Sequence, residues 1–186
     1  LSALFLRLFV LQRTCLRKDR LARRPNQKPG LLALDSSRYR DDLNVLASTE
    51  QFRVLHIHSQ IQMCLVTALY GKPFNLSIEQ LIDARKTRTA ISERHQKAQA
   101  ALQRILRHLY TFCGIQCVLN VNNRYVYDYD WIIASEAIGV RHVMLYRECL
   151  LWEGSRYFDE TEVRVRNLGF NGSHIVVHNE LCKKMF

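Results

Sequence analysis

The sequence predicts an α/β fold in which short parallel strands alternate with helices. Five short apolar runs are separated by helical patterns or loops, and no two of them are joined by a hairpin turn. The clearest example spans residues 115–150, where an apolar run, a polar loop, a helix, Gly139 and a second apolar run follow one another. This order is typical of a βαβ unit, in which both strands point the same way.

The elements predicted before this unit begin with a buried strand. In chain order they are a strand at 31–34, a helix at 38–49, a strand at 52–57, a helix at 61–70 and a helix at 77–110. Gly71 and Pro73 end the fourth element, because glycine favours helix termini and proline cannot continue a helix. Ser77 and Gln80 have the spacing of a capping box at the start of the fifth, whose polar stretch 83–99 is expected to be solvated.

The elements predicted from residue 115 onward complete the sheet. They are a strand at 115–121, a helix after Asp130, a strand at 141–146, an irregular crossover at 152–170, a strand at 174–177 and a helix at 181–186. Asp130 has the position of an N-cap, and Gly139 ends the same helix. The crossover is long for a compact α/β protein, which is typical of a functional loop or a lid. The whole pattern predicts a doubly wound, Rossmann-like parallel sheet in a three-layer α/β/α domain at residues 31–186.

The positive charge of the sequence is concentrated at its beginning. The 186 residues carry a net charge of +10, and residues 1–30 contain eight basic residues and one acidic residue. That segment therefore holds +7, which leaves +3 for residues 31–186. A nearly neutral body argues against nucleic acid as a partner, whereas a basic tail is typical of a segment that seeks an anionic surface.

Residues 1–30 are predicted to form a basic amphipathic helix and a linker that precede the domain. Leu4, Leu8 and Leu11 share one helical face, and the stretch 25–30 has the proline and glycine of a linker. The apolar run is shorter than the roughly 20 residues that span a bilayer, and its charges follow it instead of preceding it as in a signal peptide. Two interpretations remain open: a helix on an anionic membrane surface, or a helix that packs on a missing partner.

Several classes of protein lack support in the motifs of this sequence. Six cysteines occur without a C-x-x-C pair, which predicts reduced thiols, with Cys64, Cys117 and Cys182 in the core. The sequence has no glycine fingerprint of dinucleotide-binding proteins, no P-loop and no nucleophile elbow of serine hydrolases. His56 and His58 lie on one side of a predicted strand, but nothing nearby completes a metal site, so no metal is expected.

Polar residues follow the predicted strands, and these are the candidate site residues. Because the carboxyl ends of parallel strands meet at one edge of a sheet, ligands bind there in open α/β folds. The residues are Asp35, His58, Asn122, Asn123, Arg147, Glu148, His178, Asn179 and Glu180. The acids and histidines suit a general base, and Arg147 suits a phosphate or carboxylate. Capping of helices and loops is the alternative role for each of them.

Four aromatic residues lie at and before the start of the helix in the βαβ unit. Tyr125, Tyr127, Tyr129 and Trp131 alternate along the sequence. They are expected either to stack on a sugar or a base, or to cover the rim of the sheet.

The order of elements resembles the N-terminal domain of GT-B-type glycosyltransferases, most closely that of bacterial enzymes that build surface carbohydrate. Residues 120–148, with an aromatic-rich loop, the sequence AIGV and Arg147-Glu148, resemble the third-to-fourth-strand region of that family. The closing HIVVHNELCKKMF resembles the strand and helix that approach its second domain. The likeness covers residues 31–186. Many members have a short glycine-rich loop after the first strand, where this sequence has Asp35-Ser36-Ser37.

The resemblance implies an enzyme that transfers a sugar from a nucleotide-sugar to a hydroxyl of a membrane-associated glycan. In that family the N-terminal domain holds the acceptor, a glycan or lipid-linked molecule, and a C-terminal domain binds the nucleotide-sugar. Asp35, His58 or Glu148 is the implied base, with Arg147 and Asn122 positioning the acceptor.

The resemblance also implies a larger protein. Because the sequence begins without Met and stops inside a predicted helix, we expect the N-terminal half of a two-domain enzyme. This segment is expected to bind no cofactor of its own, since the donor belongs to the second domain. The expected location is the cytoplasm, at the inner face of the membrane.

Two other classes of protein fit the same residues. A non-catalytic α/β binding module would use its basic leader to contact a membrane, RNA or a protein partner. Binding of RNA through the leader alone should vanish when residues 1–30 are removed and should fall steeply with salt. A sugar-nucleotide epimerase of similar architecture would keep the acids and histidines of the edge but would need no membrane.

Overall fold

The computed structural model describes residues 28–70, 90–121, 126–146, 170–177 and 180–185. The strands are β1 (Gly30–Ala33), β2 (Arg53–His56), β3 (Ile115–Asn120), β4 (Arg141–Leu145) and β5 (His174–Val176). The helices are α1 (Arg40–Ser48), α2 (Ser59–Tyr70), α3 (Ala90–Cys113), α4 (Val126–Glu136) and α5 (Glu180–Met185), and a 3-10 turn, Ser36–Arg38, precedes α1. The predicted leader helix, the capping box at Ser77 and nearly all of the long crossover lie outside these residues. Within the described ranges, none of the helices has the length and apolar composition needed to cross a membrane.

The five strands form one all-parallel sheet in the order β2-β1-β3-β4-β5, which confirms the predicted doubly wound α/β fold. Leu32 of β1 pairs with Leu55 of β2 on one side and with Val118 of β3 on the other. The chain therefore runs from β1 to β2 and then crosses back to β3, so the strand order reverses between β1 and β3. In parallel α/β sheets, the crevice at such a reversal is where ligands bind.

Helices cover both faces of the sheet. On one face, Leu32 packs with Leu65 of α2 and Leu106 of α3, and α4 contributes to the same cluster. On the other face, Leu31 packs with Leu43 of α1. Strand β1 is therefore buried on both sides, which is why its sequence is apolar at every position instead of alternating. Each fully buried leucine contributes about 1.5–3 kcal/mol to this core.

Glycines allow β1 and β3 to start side by side. The N–H of Gly30 donates a 2.9 Å hydrogen bond to the carbonyl oxygen of Gly114, and a Cβ atom at position 30 would lie 2.9 Å from that oxygen. Gly114 has φ 63°, a left-handed conformation that ends α3 directly before β3. Gly139 has φ 74° and follows the end of α4, as the sequence predicts.

Helix α4 begins earlier than the sequence predicts, and Asp130 is not its N-cap. The helix starts at Val126, so Asp130 is its fifth residue, and the side chain of Asp130 is fully buried. The prediction was wrong because partners on α2 and α3 bind this carboxylate inside the domain. A local pattern of helix signals contains no information about such distant partners.

Two predictions about exposure are also wrong. The stretch 83–99 is not solvated throughout, because His95 and Ala98 of α3 are buried, the latter in a cluster with α2. Cys64 is exposed on α2 instead of lying in the core, whereas Cys182 is buried as predicted and Cys117 is half-buried. The inward positions of α2 are taken by the residues on either side of Cys64 along the helix, among them Leu65.

Candidate functional site

The loops that follow β1 and β2 meet at the carboxyl edge of the sheet. The N–H of Ser36 in the first loop donates a 3.1 Å hydrogen bond to the carbonyl oxygen of Ile57 in the second. Asp35 and His58, two of the predicted bases, lie directly beside this bond, one in each loop. Because β1 and β2 are neighbours in the sheet, the fold brings these two residues to the same part of the edge.

Hydroxyl groups connect the two loops above that bond. Asp35 adopts a left-handed conformation with φ 48° and ψ 42°, which aspartate tolerates better than most residues. Its Oδ1 atom accepts a weak hydrogen bond, 3.4 Å, from the hydroxyl of Ser37, and that hydroxyl contacts the hydroxyl of Ser59. His58 is exposed, and its Nδ1 atom lies 3.5 Å from the N–H of Gln60. The acid is thus half-buried and the histidine is open to solvent.

Tyr39 forms the floor of the crevice between β1 and β3. Its hydroxyl donates to the carbonyl oxygens of Leu34 and Leu119, at 2.8 and 3.1 Å, where these two strands end. The side chain is buried, and burial raises the pKa of Tyr39 well above its usual value, with further increases from the negative charges of Asp35 and Asp128. Tyr39 therefore remains a neutral hydrogen-bond donor that joins the ends of β1 and β3 at the base of the crevice.

Asp128 and Gln62 lie beneath the same edge and were missed by the sequence analysis. Asp128 is 4% exposed in the first turn of α4, where the helix dipole stabilises a carboxylate. The side-chain amide of Gln62 donates a 3.2 Å hydrogen bond to Asp128 Oδ1. Among the described residues, the Oε1 atom of Gln62 is a buried acceptor with no donor. A buried polar atom of this kind costs about 1–3 kcal/mol, so the site contains an acceptor that none of the described residues satisfies.

A second buried carboxylate, Asp130, joins α2, α3 and α4. Its oxygens accept hydrogen bonds from the hydroxyl of Tyr70 and from the Gln99 amide at 2.6 Å, and His95 Nδ1 lies 2.5 Å away. Burial raises the pKa of Tyr70 well above its usual value, and the negative charge of Asp130 adds to this increase. These contacts hold the first turns of α4, and with them Asp128, against the other helices. Asp130 is thus fully buried and positions the start of α4.

One signal in the sequence indicates this buried cluster. Residues His95, Ala98, Leu102, Ile105 and Leu109 are spaced by three or four positions, and all five are buried on α3. Leu102, Ile105 and Leu109 define the inward face of this helix, and continuing the same spacing toward the N-terminus reaches Ala98 and then His95. A histidine on the inward face of a helix requires a polar partner, and Asp130 is that partner.

Of the remaining predicted site residues, Glu180 is the one that the described part of the chain includes, and it does not lie near Asp35. Glu180 is exposed at the start of α5 and forms a surface ion pair with Lys183 at 3.5 Å. It follows β5, which two strands separate from β1, a distance of about 14 Å at the usual strand spacing. Six residues lie outside the described part of the chain: Asn122, Asn123, Arg147, Glu148, His178 and Asn179.

The other two sequence hypotheses concern a histidine pair and the aromatic residues. His56 is half-buried, and burial together with the charge of Arg40 lowers its pKa. The described residues contain no group of three or more histidine, cysteine or acidic side chains arranged to hold a metal ion. Tyr129 and Trp131 are buried within α4, and the hydroxyl of Tyr129 is 2.5 Å from the Asn171 amide. These two aromatic residues are therefore packed in the domain and do not stack on a ligand.

Comparison with models of protein families, with curated proteins and with solved structures found no significant match. The fold and the edge define the class of protein: a Rossmann-like α/β domain in which two loops place an acid and a histidine at the carboxyl edge of the sheet. In open α/β sheets, ligands bind outside the carboxyl ends of the strands where the strand order reverses. Asp35 follows β1, one of the two strands at the reversal, and His58 follows its outer neighbour β2.

Proposed function

We propose that this domain is the acceptor-binding half of a glycosyltransferase, which transfers a sugar from a nucleotide-sugar to a hydroxyl of a membrane-associated glycan. The observation that carries the proposal is the placement of Asp35 and His58 in adjacent loops of the carboxyl edge. The resemblance of the sequence to the N-terminal domain of GT-B enzymes supports the same activity. The all-parallel sheet of the domain is compatible with that family.

The chemistry requires a base at this edge. The acceptor oxygen forms a bond to the anomeric carbon as the bond from that carbon to the diphosphate breaks, and the electron pair of that bond leaves with the diphosphate. The hydroxyl proton passes to Asp35 or His58, which is a general base within the reach of a loop-bound acceptor. Glu148 is a third candidate by resemblance. The hydroxyls of Ser37 and Ser59 would hydrogen-bond the acceptor, together with Asn122, Asn123 and Arg147.

The donor and the location follow from the same proposal. The nucleotide-sugar would be held by a second domain, and this segment would bind the glycan or lipid-linked acceptor. The protein would work in the cytoplasm at the inner face of the membrane, where such acceptors are extended.

The test is a transfer assay on protein expressed from its complete gene. A panel of radiolabelled nucleotide-sugars would be incubated with membrane glycans, and incorporated label would be measured. Asp35→Asn and His58→Gln are compared with His108→Gln, an exposed histidine on α3. Loss of the base should lower kcat about 10²–10⁴-fold, and the control should retain full activity.

Two outcomes would contradict the proposal. If both edge variants turned over as fast as the control, neither Asp35 nor His58 would be the base. Binding of glycans without transfer from any donor in the panel would instead identify a non-catalytic binding module.

A further inference from the structure

The outer face of α3 carries four exposed cations, which we call the cationic row. They are Arg94, Lys97, Arg104 and Arg107. Because successive residues of an α-helix are about 100° apart, these side chains fall within about 140° of the helix circumference, opposite the buried residues of the same helix. From its first to its last member the row is about 20 Å long. The cations therefore form a line along one helix.

Acidic side chains of α3 do not balance the cationic row. Glu93, directly before the row, is the one acid of this helix, and residues 94–113 contain none. The ion pairs of the described residues include none of the four cations. An exposed cation without an acidic partner in its own chain is available to an external anion.

The two neighbouring helices leave the charge of the row unbalanced. Helix α2 contains no charged residue. In α4, Asp128 and Asp130 are buried, and Glu136 accepts hydrogen bonds from the N–H of His142 and the hydroxyl of Ser173. The layer of helices on this side of the sheet is thus basic at its surface.

The charges of the domain are unevenly distributed along its sequence. Residues 59–113 contain eight basic and three acidic residues, which gives +5. Since residues 31–186 carry +3 in total, the remainder of the domain carries −2. The nearly neutral domain therefore combines a basic part, which includes α3, with a weakly acidic one.

We infer that the cationic row binds a linear acidic polysaccharide. Arginine pairs with a carboxylate through two parallel hydrogen bonds, and a chain that lies along α3 reaches all four cations. That the ligand is a glycan rests on the proposed function, whereas its negative charge rests on the row itself. In that function, the acidic polysaccharide is the acceptor.

Two other anionic partners match the row less well. Single-stranded nucleic acid is held by aromatic stacking as well as by charge, and residues 94–107 contain no Phe, Tyr or Trp. A helix that lies on a lipid surface presents large apolar side chains to it, whereas the outward positions within the row include Gln96 and Ala100.

The direction of α3 relates the row to the candidate site. Because α3 ends where β3 begins, the helix runs back along the strand, and its first turns lie toward the carboxyl edge of the sheet. Arg94 is therefore the member of the row nearest to the edge where Asp35 and His58 lie. A polysaccharide along the row would extend away from that edge.

The first experiment measures binding of the full chain to polygalacturonate, an acidic polysaccharide, with dextran as a neutral polysaccharide that should not bind. One exposed ion pair is worth about 1.4- to 5-fold in affinity. A variant that lacks all four cations should therefore bind polygalacturonate at least about fourfold more weakly than the wild type. This variant is Arg94→Gln/Lys97→Gln/Arg104→Gln/Arg107→Gln.

The control variant removes four exposed cations that lie on other elements and has the same net charge. It should bind polygalacturonate nearly as the wild type does, because residues 1–27 and the cationic row are unchanged in it. This variant is Arg40→Gln/Arg141→Gln/Lys183→Gln/Lys184→Gln.

The second experiment reports contact at one position of the wild-type chain. Acetylation of exposed lysines by an N-hydroxysuccinimide ester is followed by mass spectrometry, with and without polygalacturonate. Lys97 in the row should be acetylated more slowly when the polysaccharide is present, whereas the rate at Lys184, on α5, should not change.

Three results would overturn the inference. They are equal affinities of the two variants, equal acetylation of Lys97 with and without polygalacturonate, and binding of a mixed-sequence oligonucleotide through the row without binding of polygalacturonate. Neither experiment needs a donor sugar, so a negative transfer assay would leave both results unchanged. The two proposals therefore fail separately.

Discussion

The hydroxyl of Tyr39 donates a hydrogen bond to the carbonyl oxygen of Leu119, 3.1 Å away and 80 residues later in the sequence. The same hydroxyl bonds the carbonyl oxygen of Leu34. One phenol thus bridges the ends of β1 and β3 at the position where the order of strands reverses. The candidate site is therefore built on a closed floor, and its ligand would be held by the loops above.

Removing this hydroxyl should loosen the floor. Tyr39→Phe is expected to lower the free energy of unfolding by about 1–3 kcal/mol, because the buried carbonyl group of Leu34 loses this donor, while that of Leu119 retains the N–H of Leu34. Urea denaturation measures the change. Thr67→Val is the control, since its exposed hydroxyl bonds only the Met63 carbonyl of its own helix, and it should change stability by less than about 0.5 kcal/mol. Equal effects of the two substitutions would show that the bridge is not stabilising.

Substitution of Asp130 should lower the stability of the domain far more than substitution of a surface acid. Asp130→Asn is expected to cost about 3–5 kcal/mol, because it breaks a buried pair with His95 and leaves donors without a charged acceptor. Asp42→Asn, an exposed acid in the first turn of α1, should cost less than about 1 kcal/mol through the helix dipole. Chemical denaturation of both variants decides the point, and a small loss at Asp130 would contradict the positioning role.

His142 on β4 should make the domain sensitive to acid. Burial lowers the pKa of His142 to about 3, and its Nε2 atom has no partner among the described residues. The unfolded chain binds a proton at the ordinary pKa of about 6.5 while the folded chain does not. The contribution of neutral His142 to the free energy of unfolding is therefore complete above about pH 6.5 and is lost as the pH falls toward 3.

Denaturation curves between pH 7 and pH 4 test this dependence. His142→Leu should reduce the loss of stability over that range by a few kcal/mol, whereas His108→Leu, at an exposed position, should leave it unchanged. Parallel pH profiles for wild type and His142→Leu would refute the assignment.

Gly30 and Gly139 should respond differently to substitution because their constraints differ. Gly30→Ala places a Cβ atom 2.9 Å from the Gly114 carbonyl oxygen and is expected to cost about 1–3 kcal/mol through overpacking. At Gly139 nothing lies within 4 Å, and only the φ of 74° disfavours a side chain. Gly139→Ala should therefore cost about 1–2 kcal/mol.

Asparagine separates these two causes. Gly139→Asn should recover part of the stability, because asparagine tolerates the left-handed conformation, while Gly30→Asn should be no better than Gly30→Ala. Melting temperatures of the four variants would provide the comparison. If Gly30→Asn were more stable than Gly30→Ala, or Gly139→Asn no more stable than Gly139→Ala, the causes given for the two positions would be wrong.

Local patterns in the sequence determined the elements of this protein. The five strands were predicted within one or two residues, because each is a short, mainly apolar run between polar residues. The polar loop at Asp35 and the one at His58 were predicted for the same reason. Gly139 was correctly placed as a helix end, since the left-handed conformation there favours glycine.

Only the tertiary structure decided which of these pieces meet. The order of strands joined the loops of Asp35 and His58 and left Glu180 apart. It also buried Asp130 against His95, 35 residues earlier, where the local pattern indicates an N-cap. Helix and strand periods arise from neighbours within a few positions, whereas a buried carboxylate is satisfied by donors on other elements. The spacing along α3 places His95 on the inward face of the helix, but the acid that it contacts is decided only when the helices pack.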